Sequence, residues 1–234
     1  MTAPGRIPAV TLIRPVAAGI LLALLSCAGD TVDLGLGPGR DVARILRAVT
    51  SSGLLWGLGA LLLAVTAGTR RRAVTQAVML PVTATVTYFL MIVLVTGRWS
   101  GDVAGTAAVW LAVSVAAGFA LGILGNTVRH DTGRRAAVAA GIACGLLACP
   151  AVHALLIEPP AELMGLVVRG ADEFYRSFHP AAAIGLVVPV LVLVWLATRY
   201  HLGSHRRELL LSAGLTAVGG AVLWLLADVV RWIA

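Results

Sequence analysis

Residues 73–96, AVTQAVMLPVTATVTYFLMIVLVT, carry no charged side chain from end to end, and the run is fenced by Arg70-Arg71-Arg72 before it and Arg98 after it. Coiled as a helix rising about 1.5 Å per residue, such a run is long enough to cross the roughly 30 Å hydrocarbon core of a bilayer. A charge at the centre of that core costs about 2.5–3.5 kcal/mol even on the lenient insertion scale, so charges are driven to the ends. Residues 73–96 therefore read as a membrane-spanning helix.

The same pattern recurs outward along the chain, at 15–29, 50–69, 103–128, 136–157, 180–198 and 209–230. Together the runs predict an all-α integral membrane bundle of about seven transmembrane helices, a single domain over 1–234 in a multi-pass cell-membrane protein. Composition agrees, with 59% hydrophobic and only 12% charged residues in 234, where a soluble domain carries about 25% charged. The formal charge of +7 would suggest a nucleic-acid partner in a soluble protein. Here every basic residue is an arginine flanking an apolar run, so no nucleic acid is expected and the partner is membrane lipid. The lack of lysine beside abundant alanine, glycine and valine suggests a GC-rich bacterial genome.

The links orient the spans. Arg6 and Arg14 precede the first, Arg70 to Arg72 follow the second, Arg129, Arg134 and Arg135 the fourth, and Arg199, Arg206 and Arg207 the sixth. In a seven-span arrangement these all fall on one side, which the positive-inside rule makes cytoplasmic, with the N-terminus inside. Arg40, Arg44 and Arg47 fall on the other side at i, i+4 and i+7, with Val42, Ile45, Leu46 and Val49 facing away, and predict an amphipathic interfacial helix. The N-terminus has a competing reading: Leu24-Leu25-Ser26-Cys27 after a short apolar core resembles a lipoprotein signal, although Leu25 is bulkier than such sites favour.

Pro81, Pro150 and Pro189 lie within spans and are expected to kink them. The pairs Gly53/Gly57, Gly118/Gly122 and Gly141/Gly145 let helices approach closely in lipid; packing is the economical reading, and a homo-oligomeric face is the other. Cys27, Cys144 and Cys149 sit in apolar runs without CxxC or CxxC…HxxxH spacing, so no disulfide framework, metal site or cofactor is expected.

Carboxylates gather at the non-cytoplasmic ends. Asp33, Asp41, Asp172 and Glu173 read as solvated loop residues. Asp30 ends the first span and Asp228 lies inside the last, and first and last helices often adjoin in a closed bundle. An ionisable group within a span is a functional candidate, with an Asp228–Arg231 pair as the structural alternative. His153, near the end of the fifth span, is a proton relay or a buried packing residue; Glu158 follows it, and His179 opens the sixth span. Trp56, Trp110 and Trp224 fit an interfacial aromatic belt, but Trp56 and Tyr88 sit deeper than a belt requires and are expected to face an internal pocket.

The segment Thr50-Ser51-Ser52-Gly53-Leu54-Leu55-Trp56-Gly57, then Arg70-Arg71-Arg72, Thr87-Tyr88 and the stretch from Trp110 to Arg129, resembles a family of small actinobacterial polytopic membrane proteins to which no activity is attached. In size, span count and an acid in the last span the chain also resembles membrane-integral terpene cyclases, a likeness that transfers no catalytic residue. It implies proton-initiated cyclisation of a lipophilic prenylated or terpenoid substrate in secondary metabolism. A carboxylic acid kept neutral among apolar helices can protonate an alkene or epoxide. The acids Asp30, Glu158 and Asp228 and the base His153 are the expected catalytic groups, with Trp56, Tyr88, Trp110 and Trp224 as cation-stabilising walls. A small proton-coupled transporter and a non-catalytic membrane scaffold are the competing readings.

Overall fold

The computed structural model describes residues 10–31, 49–50, 53–97, 101–157 and 179–233. Among them the chain forms seven long helices and no strand: α1 (Val10–Thr31), α2 (Leu54–Thr66), α3 (Arg70–Thr96), α4 (Gly101–His130), α5 (Gly133–Val152), α6 (His179–Arg199) and α7 (Arg206–Ile233). A π-helical turn (His153–Ile157) extends α5, and a 3-10 turn (Leu202–His205) leads into α7. Helices α3 to α7 are long and apolar enough to cross a membrane, while α1 and α2 contain the shorter apolar segments Leu12–Cys27 and Leu54–Thr66. Most of the expected interfacial helix at 40–49, and Glu158, lie outside the described residues. The helix α1 runs on through Cys27.

The ends differ from the apolar runs for a physical reason. Helices α3, α5 and α7 begin at Arg70, Gly133 and Arg206, three residues ahead of their charge-free stretches. Hydrocarbon stops at the first charge, but backbone hydrogen bonding continues into the headgroup layer. At α3 the side chain of Thr69 accepts from the Arg72 N–H at 3.4 Å, capping a first turn whose arginines the helix dipole disfavours. The other end of α3 closes on Gly97, whose left-handed φ of 64° turns its N–H back to the Val93 carbonyl, a conformation glycine adopts without a Cβ clash. Helix α2 ends at Thr66, whose Oγ1 donates back to the Leu62 and Leu63 carbonyls, and Gly68-Thr69 then turn the chain into the arginine link.

The described helices fall into two compact units, α1 to α4 and α5 to α7. In the first, α1 packs along α3, where Gly19 leaves no room for a Cβ against the Leu80 carbonyl. Gly118 and Gly122 of α4 seat on the backbone of α3 at Ala77-Val78 and Val74, and Gly125 on α2 at Ala64-Val65. The glycine numbers rise as the α3 numbers fall, so α3 and α4 run antiparallel. Thr85 and Ser114 share a buried hydrogen bond of 2.8 Å, the kind of interhelical polar link that is worth about 0.6 kcal/mol in a membrane protein. An Arg129 NH donates to the Val65 carbonyl at 3.2 Å, satisfying one of the carbonyls left open at the end of α2.

In the second unit α5 is the central helix. Two thirds of its apolar window is buried, 67% against 17–28% for the other four spanning-length helices, because half of its residues are alanine or glycine, spread around the circumference. Gly141 seats on Leu209, Ser212 and Ala213, and a Cβ on Gly145 would lie 2.5 Å from the Ala213 carbonyl and 2.8 Å from Thr216 Cβ. Cys149 continues the row against Gly220. Numbers rise together on both helices, so α5 and α7 are parallel and interlock by small residues every four positions. Ser212 Oγ, bonded within α7 to the Glu208 and Leu209 carbonyls, presents its satisfied hydroxyl to that row. The helix α6 passes the other side of α5, with Gly185 beside Ala151.

Replacing Gly145 by leucine is expected to lower unfolding stability in mild detergent by about 1–3 kcal/mol or more through overpacking. Gly219, which has open space where a Cβ would sit, accepts the same change with little loss; equal thermal midpoints for the two variants would contradict the packing described.

Candidate functional site

The end of the second unit opposite its arginine links holds the buried titratable group. Pro150 has no N–H, so the carbonyl four residues back, on Leu146, loses its helical donor. Three residues on, the chain widens into the π turn, and the His153 N–H is shared between the Cys149 and Pro150 carbonyls. Single π turns inside spans recur at functional sites. The His153 side chain is only 6% exposed.

Its surroundings follow from the α5–α7 register. The pairs 141/212, 145/216 and 149/220 advance by four on each helix, so the next step aligns 153, where the π turn begins, with 224. The π turn does pack on α7. Trp224 donates its indole N–H to the sulfur of buried Cys149, one turn before His153. Ala148, Val152, Ala217 and Ala221 form a buried apolar cluster joined by Leu186 of α6. Positions 220, 224 and 228 share one face of α7 by their spacing of four; the Asp228 side chain itself is outside the described part.

The remaining candidates are placed as follows. Asp30 is on α1 in the first unit, with its side chain outside the described part. Trp56 is half-buried on α2, and its indole Nε1 is buried with no hydrogen-bond partner among the described residues. Tyr88, half-buried on α3, meets Phe89 edge to face with centroids 5.5 Å apart. Trp110 on α4 is 44% exposed and Trp224 on α7 is 37% exposed, so each turns part of its ring outward. Asp30, Trp56, Tyr88 and Trp110 thus belong to the first unit, and His153, Trp224 and Asp228 to the second.

Sequence reasoning missed Cys149 as a wall of the histidine site, although its position four residues before His153 was the available signal. Pro150 was the signal for the π turn. Among the described residues, no three or more histidine, cysteine, aspartate or glutamate side chains are grouped to hold a metal ion. No protein-family model, no curated protein and no solved structure matches the chain.

Trp224→Ala is expected to expose Cys149 and speed its alkylation by a membrane-permeant maleimide several-fold, read by peptide-resolved mass spectrometry. Unchanged Cys149 labelling would contradict the Trp224–Cys149 contact.

Proposed function

We propose that this chain is a seven-span protein of the cell membrane, N-terminus cytoplasmic, and that it is an acid–base enzyme of the terpene-cyclase type acting on a lipophilic prenylated substrate. The observation that carries the reading is the burial of His153 at the start of a π turn that packs against α7, the helix that bears Trp224 and Asp228. The arginine-rich links support the orientation. In this scheme the Asp228 carboxylic acid adds its proton to an alkene or epoxide, and the Trp224 ring stabilises the resulting cation. A second double bond of the same substrate attacks this cation, forming the ring bond and moving the positive charge to a ring carbon, and His153 then removes a proton from the carbon next to that new cation, leaving a double bond. Return of that proton to Asp228 closes the cycle, so no cofactor is consumed. The apolar cluster of alanines and Val152 keeps water from quenching the cation.

Membranes containing the chain, incubated with linear prenylated alcohols and epoxides, are expected to form cyclic product. His153→Ala and Asp228→Asn should each reduce it about 100-fold or more, the usual weight of a general acid or base, while keeping the wild-type elution profile in detergent. Turnover unaffected by both substitutions excludes this chemistry.

One observation favours a second reading. Pro150 lies within α5 and a π turn follows it beside a buried titratable group, the kind of helix irregularity that lines sites in proton-coupled transporters. Absence of product, together with proton uptake into vesicles that His153→Ala abolishes, assigns the site to transport.

A further inference from the structure

A concave feature lies at the opposite, arginine-bearing end of the same unit. Where α6 ends and α7 begins, a groove of about 670 Å³ opens between the two helices, within the roughly 300–1,000 Å³ of small-molecule sites. Its walls include Leu193 and Val194 of α6 and Leu210 of α7, and its rim includes Ser204 and Arg206. We propose that this groove binds one anionic phospholipid of the surrounding bilayer, with the phosphate on Arg206 and Ser204 and an acyl chain along Leu193, Val194 and Leu210.

The rim is set by the turn between the helices. His201 takes a left-handed conformation, φ 54° and ψ 40°, which costs a non-glycine residue energy and reverses the chain sharply enough to bring Ser204 and Arg206 over the groove. Arg206 Nε donates to the Gly203 carbonyl at 3.1 Å, fixing the plane of the guanidinium. That bond leaves the terminal NH₂ groups for an anion, and Arg206 makes no ion pair among the described residues. The one acid of the turn, Glu208, is directed to His205, Nδ1 to Oε2 at 3.9 Å. A planar guanidinium held in place suits the paired oxygens of a phosphate.

The walls select a lipid over a soluble anion. Leu210 follows Arg206 by four residues, about 6 Å deeper along α7, so the groove passes from charged to apolar within one turn. Val194 and Leu210 are 55% and 62% exposed, and both lie on helices of spanning length. A free phosphate would leave those side chains uncovered, whereas an amphiphile covers them.

The test is native mass spectrometry of the full chain released from mild detergent containing equal amounts of phosphatidylglycerol and phosphatidylcholine with matched acyl chains. The wild type is expected to retain phosphatidylglycerol about five-fold over phosphatidylcholine, the weight of one arginine at a charged bilayer surface. Arg206→Gln should bring that ratio close to one. Val194→Trp should reduce retention of both lipids by filling the groove, and Arg71→Gln, on α3, should leave the ratio unchanged. No preference in the wild type, or a preference that survives Arg206→Gln, overturns the proposal. Displacement of phosphatidylglycerol by an equal concentration of inorganic phosphate or of a prenyl diphosphate overturns the assignment to a bilayer lipid.

Discussion

The structure of the second unit depends on how closely two helices can approach in a solvent that offers them no hydrophobic reward. Lipid tails are as apolar as leucine, so helices associate through van der Waals contact and polar links, and both need backbones brought near. Gly141, Gly145 and Cys149 on α5 meet Ser212, Thr216 and Gly220 on α7 at successive steps of four. With alanines around the rest of its circumference, α5 becomes the buried axis of the unit while larger side chains on α6 and α7 face outward. The first unit uses the same device at Gly19, Gly118, Gly122 and Gly125, adding the Thr85–Ser114 bond and the Arg129 contact to α2.

From that register the chemistry of the two ends follows. At one end only Tyr200 and a left-handed His201 separate α6 from the 3-10 turn, and that turn sets Arg206 over an apolar groove. At the other, Pro150 removes a backbone donor just where the small-residue row ends, and the π turn that begins at buried His153 packs against α7. A buried histidine lies far from the arginine links and a charged groove beside them, and we propose different ligands for the two, a lipophilic reactant and a bilayer lipid.

Much of the fold was legible because charge exclusion from hydrocarbon is severe: each of the seven apolar runs corresponds to a helix, within a few residues at most ends. The starts of α3, α5 and α7 shifted because arginine is excluded from hydrocarbon but not from helix. The glycine pairs at 118/122 and 141/145 were readable as packing, since spacing by four on a helix defines a face. Gly53 was not of that kind; it has a φ of 72° and open space around it. The partners of each face were not readable, because periodicity says which residues share a side and nothing about what lies opposite. Hence Trp224 was read as a belt residue, and its bond to Cys149 went unseen. The groove at Arg206 depends on the backbone of His201, for which a histidine gives no local signal.

The parallel α5–α7 register is the central claim, and cysteine cross-linking in membranes tests it most directly. In a chain whose Cys27, Cys144 and Cys149 are replaced by alanine, the pair Val152→Cys/Ala221→Cys, from the same buried cluster, is predicted to form an intramolecular disulfide under mild oxidation. The pair Val152→Cys/Ala213→Cys, displaced eight residues or about 12 Å along α7, lies beyond disulfide reach and is predicted to stay reduced. Efficient cross-linking of the displaced pair with none in the first would contradict the register, and with it the placement of His153 beside Trp224.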